Sequence, residues 1–276
     1  ATLASVPAGI RDGTQAASLY GIGFLGRWVL PDLMATGIRV ERCYDGNPAM
    51  VGTAVEGVPV QAVDSIETDR PAFVFISARH AVLPIAARLE ALGVAHLSCD
   101  AFYVARDFAA FRTIHDTMLD DERSRLVLRA VLSTMLTGDR AYVISVYEKD
   151  QYFALPQFSG IEKETYVDAG AYVGDSLERF IWTHYGVFAK AIAFEPGPKQ
   201  FRALKTRAKR LLVEWALDEE QLDLVPAALG EQPAVARAES QSGQMTSLAL
   251  GKFGDHEIRV ETLDGFLAGQ PITFLK

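Results

Sequence analysis

Cysteine is nearly missing from this chain. Cys43 and Cys99 are its only two, too far apart in sequence for a zinc-binding or dithiol motif, so free thiols in a reducing compartment are expected. No uninterrupted apolar run reaches membrane-spanning length, and the first residues lack the basic-then-apolar order of a signal peptide. A cytoplasmic protein without a membrane span is the expectation. Positive charge is in deficit too: 27 Lys and Arg against 35 Asp and Glu leave a net charge of −8. Such a surface lacks the basic field that neutralises nucleic-acid phosphates, which argues against a nucleic-acid partner and for a small molecule. No metal site is expected. An initiator methionine is absent before Ala1, from which a trimmed N-terminus is expected.

What is present fills two domains. With 276 residues, 49% of them hydrophobic, the chain exceeds the usual size of one domain and can bury a large core. Alternating strand-like and helix-like segments predict an α/β fold built as two Rossmann-like parallel-sheet domains. The first is expected over 1–100 and the second over 165–276, with a helical connector and possible substrate lid over 101–164.

The first domain opens on an apolar run, Ala16 to Tyr20, that leads into Gly21-Ile22-Gly23-Phe24-Leu25-Gly26. Strand followed by G-x-G-x-x-G is a nucleotide-binding pattern. Gly21 permits the tight turn, Gly23 lets a phosphate approach the backbone N–H groups, and Gly26 lets helix pack on strand. A helix with Val29, Leu30, Leu33 and Met34 on one face is expected up to Gly37, disturbed at Pro31. Ile38 to Tyr44 reads as the next strand. Asp45, which follows it, is placed to accept hydrogen bonds from a ribose diol, although Asp45-Gly46-Asn47-Pro48 is equally a plain turn. Phe73 to Ile76, Ala81 to Leu92 and Val94 to Leu97 continue as strand, helix and strand. The run Asp45-Gly46-Asn47-Pro48, Gly52 and Val55 to Val60 resembles the N-terminal domain of bacterial sugar acetyltransferases. That resemblance implies a nucleotide-sugar ligand.

In the connector, Asp120 or Asp121 can cap a helix carrying Leu126, Val127, Ala130, Val131, Met135 and Leu136 at core spacing, ended by Gly138. Tyr142, Tyr147, Tyr152, Phe153 and Phe158 follow, interleaved with Gln151 and Gln157. They read either as packing or as a lid over an acceptor.

The most informative stretch runs from Thr165 to Pro198. Tyr166-Val167 reads as a short strand, Asp168 to Gly174 as the loop that follows it, with Gly170, Tyr172 and Gly174 inside, and Asp175 or Ser176 can cap a helix with Leu177, Phe180 and Ile181 on one face. Ala191 to Phe194 is a second strand, with Glu195 at its end and Pro196-Gly197-Pro198 beyond. A carboxylate at Glu195 can take both hydroxyls of a ribose, and hydrogen bonds to a charged group contribute about 1.5–3 kcal/mol. Asp168 at the mouth of the loop repels a pyrophosphate but suits a sulfonium and an ammonium. The charge at that position separates this loop from the one at Gly21 to Gly26.

These residues resemble the FkbM family of S-adenosylmethionine-dependent O-methyltransferases. The matches are Val167-Asp168-Ala169-Gly170-Ala171 through Gly174-Asp175 and Phe194-Glu195-Pro196-Gly197-Pro198, with Gln151-Tyr152-Phe153 upstream. Downstream lie Glu261-Thr262-Leu263-Asp264 and Ile272-Thr273-Phe274-Leu275-Lys276. The resemblance covers about 115–276. It implies S-adenosyl-L-methionine as cofactor, bound by Asp168, Gly170, Tyr172, Gly174, Asp175 and Glu195, with Asp168, Gly170 and Gly174 at its methionine end and Glu195 at its ribose. It also places Ala227 and Ala228 near the adenine and implies a hydroxyl acceptor on a sugar or nucleotide-sugar. The family continues past the equivalent of Lys276, so a truncation at 276, leaving an unpaired apolar edge strand, is expected.

The remaining segments are plainer. Lys199, Arg202, Lys205, Arg207, Lys209 and Arg210 read as a solvated helix face helped by the helix dipole. Leu222 to Val225 is a third strand, and Ala238 to Gly254 a surface loop or hairpin. No general base is identifiable, since His184, Asp255 and His256 are candidates by type only. The competing class is an NAD(P)-dependent oxidoreductase, or a nucleotide-sugar-binding protein, built on Gly21, Gly23, Gly26 and Asp45. The oxidoreductase would need a catalytic Tyr-Lys pair or a reactive Cys or His at recognisable spacing, and none is found.

Overall fold

The computed structural model describes residues 5–150, 152–154, 163–238 and 256–276. Two units divide the chain, Ala1–Tyr147 and Glu148–Lys276.

The first unit runs α1 (Ala8–Arg11), β1 (Ala17–Tyr20), α2 (Phe24–Ala35), β2 (Val40–Asp45), β3 (Ala54–Val55), β4 (Val58–Ala62), α3 (Ile66–Asp69), β5 (Val74–Ile76), α4 (Val82–Ala91) and β6 (His96–Ser98). Helices α5 (Cys99–Arg106), α6 (Phe108–Thr113), α7 (Glu122–Thr137) and α8 (Ala141–Ser145) follow. The sheet order is β3-β4-β2-β1-β5-β6. All its pairings are parallel except the β3/β4 hairpin, whose two-residue turn places Glu56 and Gly57 at positive φ as a tight hairpin requires. From β1 the chain winds one way to β2 and β4, then returns to β5 on the other side. This reversal opens a crevice at the C-terminal end of β1.

Successive side chains on a strand face opposite layers, so each strand feeds two cores. Phe73 and Phe75 join Ile10, Leu30, Leu33 and Phe102 on one side. Val74 and Ile76 join Tyr44, Ile66 and Leu89 on the other.

Several expectations shift by a few residues, and some change in kind. Helix α2 runs unbroken through Pro31; the proline lies on its exposed side, where the lost backbone bond faces water. Met34 is exposed rather than part of the packed face. Asp121 caps α7, accepting from Ser124 N at 2.8 Å, and Gly138 ends the helix at φ 75°. Its expected core stripe is only partly filled: Ala130 is buried, while Leu126 and Val131 are exposed.

The second unit runs β7 (Thr165–Ala169), α9 (Asp175–Thr183), β8 (Lys190–Phe194), α10 (Pro198–Glu214), β9 (Leu222–Val225), β10 (Ala227–Leu229), β11 (Ala234–Ala238), β12 (His256–Glu261), α11 (Leu263–Leu267) and β13 (Phe274–Leu275). Its main sheet, β13-β7-β8-β9, is wholly parallel. A second sheet, β10-β12-β11, pairs β11 with β12 antiparallel. The chain leaves β7 toward β8 and β9 and comes back to β13 on the far side, so the reversal point lies between β7 and β13.

Phe153 is buried in this unit's core against Tyr166, Phe180 and Phe274, which makes it packing; Tyr152, Tyr142 and Tyr147 are exposed, and Gln151, Gln157 and Phe158 lie outside the described residues. Helix α10 buries Leu204, Ala208 and Leu211, and fully burying each leucine contributes about 1.5–3 kcal/mol. Its basic residues sit away from the last turn, so the helix dipole is not what they serve. Arg207 and Arg210 instead reach Glu178 of α9 at 2.8 and 2.6 Å. The Ala238 to Gly254 loop lies outside the described residues apart from Ala238, the last residue of β11.

Candidate functional site

At the reversal point of the second unit, β7 delivers Asp168 to the C-terminal end of the sheet, fully buried. Strand β13 pairs in register with β7, Leu275 opposite Val167, and Lys276 continues the ladder through Ala169 N to Lys276 O at 2.8 Å. The Lys276 side chain therefore lands on Asp168, donating from Nζ to Oδ1 at 2.8 Å and to Gly170 O at 3.2 Å. The Tyr152 ring centroid lies 5.5 Å from that ammonium. Asp168 Oδ2 and Tyr166 Oη are both buried without a hydrogen bond of ordinary geometry. Burial pushes the Asp168 carboxyl above its usual range, and Lys276 and the neighbouring Tyr166 hydroxyl work against that push.

The loop after β7 is held in an unusual backbone path. Gly170, Tyr172 and Gly174 have φ of 93°, 51° and 83°, a left-handed region that costs a residue with a Cβ roughly 1–2 kcal/mol. Tertiary bonds keep it there: Gly170 N and Ala171 N both donate to Phe194 O, at 3.0 and 2.8 Å. Glu195 completes the clamp, its Oε2 accepting from Tyr172 N at 2.8 Å and its Oε1 from Gly197 N at 2.7 Å. A Cβ on Gly170 would enter open space, whereas one on Gly174 would lie 2.7 Å from Leu204 Cδ1. Helix α9 starts at Gly174 with no side-chain cap. Neither Asp175 nor Ser176 caps it, because the left-handed Gly174 already turns the chain into the helix; Asp175 lies in the first turn, where its charge complements the helix dipole.

Glu195 is raised from its ordinary value chiefly by burial, against its two backbone hydrogen bonds. A carboxyl whose folded pKa exceeds its unfolded one binds its proton first in the native state, so its contribution to stability grows as pH falls through that window. Wild-type stability relative to Glu195→Gln, measured by urea unfolding, is therefore expected to rise from neutral pH toward the ordinary carboxylate range. A fall over that range would contradict the assignment.

His184 is removed from the candidate bases by its position. It is buried, its Nδ1 shares a hydrogen bond with Phe180 O at 3.0 Å, and its Nε2 lies 3.9 Å from Glu164 Oε2. Glu164 precedes β7, four residues or about 13 Å of strand before Asp168, so this pair belongs to the opposite end of the sheet. Asp255 and the side chain of His256 lie outside the described residues. Ala227 and Ala228 are buried in β10.

In the first unit, the same construction recurs. Asp45 at the end of β2 accepts from Ile22 N at 2.7 Å through Oδ2 and from Asn47 N at 2.7 Å through Oδ1. It holds the loop after β1 just as Glu195 holds the loop after β7. Gly21 has φ 93°, and a Cβ on Gly26 would sit 2.1 Å from Gly21 O, so helix and strand meet there only with glycine. The Ser77 hydroxyl donates to Gly21 O at 2.5 Å. Gly21, Gly23, Gly26 and Asp45 thus line one cleft of about 750 Å³. Among the described residues no cluster suited to a metal ion occurs, and no helix is long and apolar enough to cross a membrane.

Sequence reasoning missed Lys276 as a site residue. Its signals were its place at the end of an apolar run and within one of the stretches that resemble the FkbM family, but neither assigns it a partner, because the contact with Asp168 spans 108 residues. Ser77 carried no local signal at all.

Fold and site together define a pair of α/β units, each built on a largely parallel sheet. The methyltransferase FkbM from Methylobacillus flagellatus KT has a similar solved structure, with a TM-score of 0.53 and 18% identity over 98% of this chain and 76% of that one. UDP-D-quinovosamine 4-dehydrogenase from Vibrio fischeri matches with a TM-score of 0.28 and 16% identity over 30% of this chain and 76% of that one. A Rex-family repressor, RSP, matches with a TM-score of 0.26 and 20% identity over 32% and 46%. No protein-family model and no curated protein matches the sequence. The likeness to FkbM establishes the fold.

Proposed function

We propose that the second unit binds S-adenosyl-L-methionine and transfers its methyl group to a hydroxyl of a small molecule, of the sugar or nucleotide-sugar class, in the cytoplasm. The observation that carries this reading is Asp168 in β7 and Glu195 directly after β8, its parallel neighbour, around one glycine loop at the C-terminal end of the sheet. The residues fit the cofactor. Asp168 Oδ2 makes no hydrogen bond of ordinary geometry and faces the Tyr166 hydroxyl, which leaves it acceptor capacity for an ammonium, and a Cβ on Gly170 would enter open space.

Each oxygen of Glu195 accepts one backbone N–H. A carboxylate has about four acceptor positions, so capacity for a ribose diol remains after the loop is clamped. When bound, S-adenosylmethionine supplies a methyl group activated by its sulfonium. The chain's own part is alignment: Glu195 fixes the nucleoside end, Asp168 the amino-acid end, and the rigid loop between them sets the distance. Acceptor class follows the resemblance of the sequence to O-methyltransferases acting in surface-polysaccharide or secondary-metabolite synthesis.

The test is thermal and chemical unfolding with S-adenosylhomocysteine or NAD. Ligand at a hundredfold excess over Kd adds about 2.7 kcal/mol. Stabilisation by S-adenosylhomocysteine is expected, and stabilisation by NAD alone would overturn the proposal.

A further inference from the structure

The cleft of the first unit takes no part in the methyl-transfer reading, yet it is built as a binding site. It opens where β1 lies between β2 and β5, the reversal point of that sheet. Its volume, about 750 Å³, is within the range of small-molecule pockets. Three different surfaces line it. On one side α2 begins at Gly23 with no side-chain cap and no acidic residue in its first turn, so backbone N–H groups and the positive end of the helix dipole face the cleft. On the second side stands Asp45. The third surface combines apolar Ala81, Pro84 and Ile85 with the basic side chains of Arg79, His80 and Arg88.

The spacing of these surfaces fits one kind of molecule. Asp45 is hydrogen-bonded to Ile22 N, and the free helix start follows within two residues, at most about 7 Å of chain. An anion site and a hydroxyl acceptor thus lie as close as the phosphate and sugar of one nucleotide, and Ala81, Pro84 and Ile85 give the same cleft an apolar lining. We propose that this cleft binds a nucleoside diphosphate group. Its diphosphate lies over the start of α2, its ribose hydroxyls on Asp45, and its base against the Ala81–Pro84–Ile85 wall. The carboxylate of Asp45 repels a ribose 2′-phosphate, so ligands carrying one are rejected. This site stands whether or not the second unit transfers methyl groups.

Glycines 23 and 26 separate binding from folding. Gly23 has φ −66°, and a Cβ there meets nothing within 4 Å, so Gly23→Val fills the phosphate approach without straining the loop. Isothermal titration of the full chain would use ADP, UDP, NADH, NADPH and a UDP-sugar, with adenosine and pyrophosphate as fragments. At least one diphosphate ligand is expected to bind with micromolar Kd, and the tightest identifies whether a free nucleotide, a dinucleotide or a nucleotide-sugar is the source. NADPH is expected to be at least tenfold weaker than NADH, and each fragment at least tenfold weaker than the tightest ligand. Gly23→Val is expected to weaken that ligand at least tenfold with an unchanged melting temperature. The proposal is overturned if no diphosphate ligand binds the wild type, if a fragment binds as well as the tightest ligand, if NADPH matches NADH, or if a folded Gly23→Val binds as the wild type does. The fragment and NADPH comparisons use wild-type protein and decide the matter even if the variant does not fold.

Discussion

Asp168→Ala is expected to destabilise the second unit and weaken S-adenosylhomocysteine binding roughly ten- to a hundredfold, while Lys276→Met destabilises it and leaves that binding within a few-fold of wild type. Both expectations come from one buried pair. Asp168 is fully buried and the Lys276 side chain is 16% exposed, and removing one partner of such a pair strands the other charge at a cost of about 3–5 kcal/mol. The double variant Asp168→Ala/Lys276→Met removes both charges and is expected to recover most of that stability without recovering binding. Urea unfolding and calorimetric titration of the four proteins separate the two roles. A charge-assisted hydrogen bond to the ligand's ammonium is worth about 1.5–3 kcal/mol, or roughly ten- to a hundredfold in Kd. Binding lost equally in Asp168→Ala and Lys276→Met would mean that only the fold of the loop matters.

Glu195→Ala is the second large effect, and it acts through two loops at once. Its carboxylate ties Tyr172 N and Gly197 N together, and Tyr172 is held at φ 51°, a conformation that relaxes once its anchor is gone. Each bond to the charged group contributes about 1.5–3 kcal/mol. Loss of several kcal/mol and a more than hundredfold weaker S-adenosylhomocysteine affinity are expected, read by unfolding and by titration. Glu195→Gln keeps one good acceptor but turns an NH₂ toward a backbone N–H, so it is expected to restore less than half of the lost stability. Wild-type affinity is expected to fall on acidification with a midpoint above the ordinary glutamate range, since burial raises this carboxyl and a protonated Glu195 accepts fewer hydrogen bonds. Affinity unchanged in Glu195→Ala would remove this residue from the site.

Much of this arrangement was legible in the sequence because its signals are local. The helix that starts at Asp121 and ends at Gly138 could be bounded to within one residue, Asp120 or Asp121 at its start, since a side-chain cap at one end and a left-handed glycine at the other act within a single turn. Strands β7, β8 and β9 were legible from short apolar runs closed by an acid or a proline. Helix α9 was legible as an element but not in its cap, because the choice between Gly174 and Asp175 depends on the φ of a loop that Phe194 O and Glu195 hold from 20 or more residues away. Met34, Leu126 and Val131 show the limit of periodicity: it finds the apolar stripe of a helix but not how much of that stripe a neighbour covers.

By itself, the sequence determined the alternation of strand and helix, both glycine loops, and the acid that follows the second strand of each unit. All three depend on residue type and spacing within about thirty positions. Tertiary structure alone decided what those acids touch. Parallel pairing of β13 with β7 brings Lys276 onto Asp168, so the acid at the loop's mouth is a paired charge rather than an isolated one. Docking of each second strand beside the first turns Asp45 and Glu195 into clamps on the backbone N–H groups of Ile22 and Tyr172. Strand register is set by which apolar faces meet across the whole sheet, and no local stretch of residues contains that information.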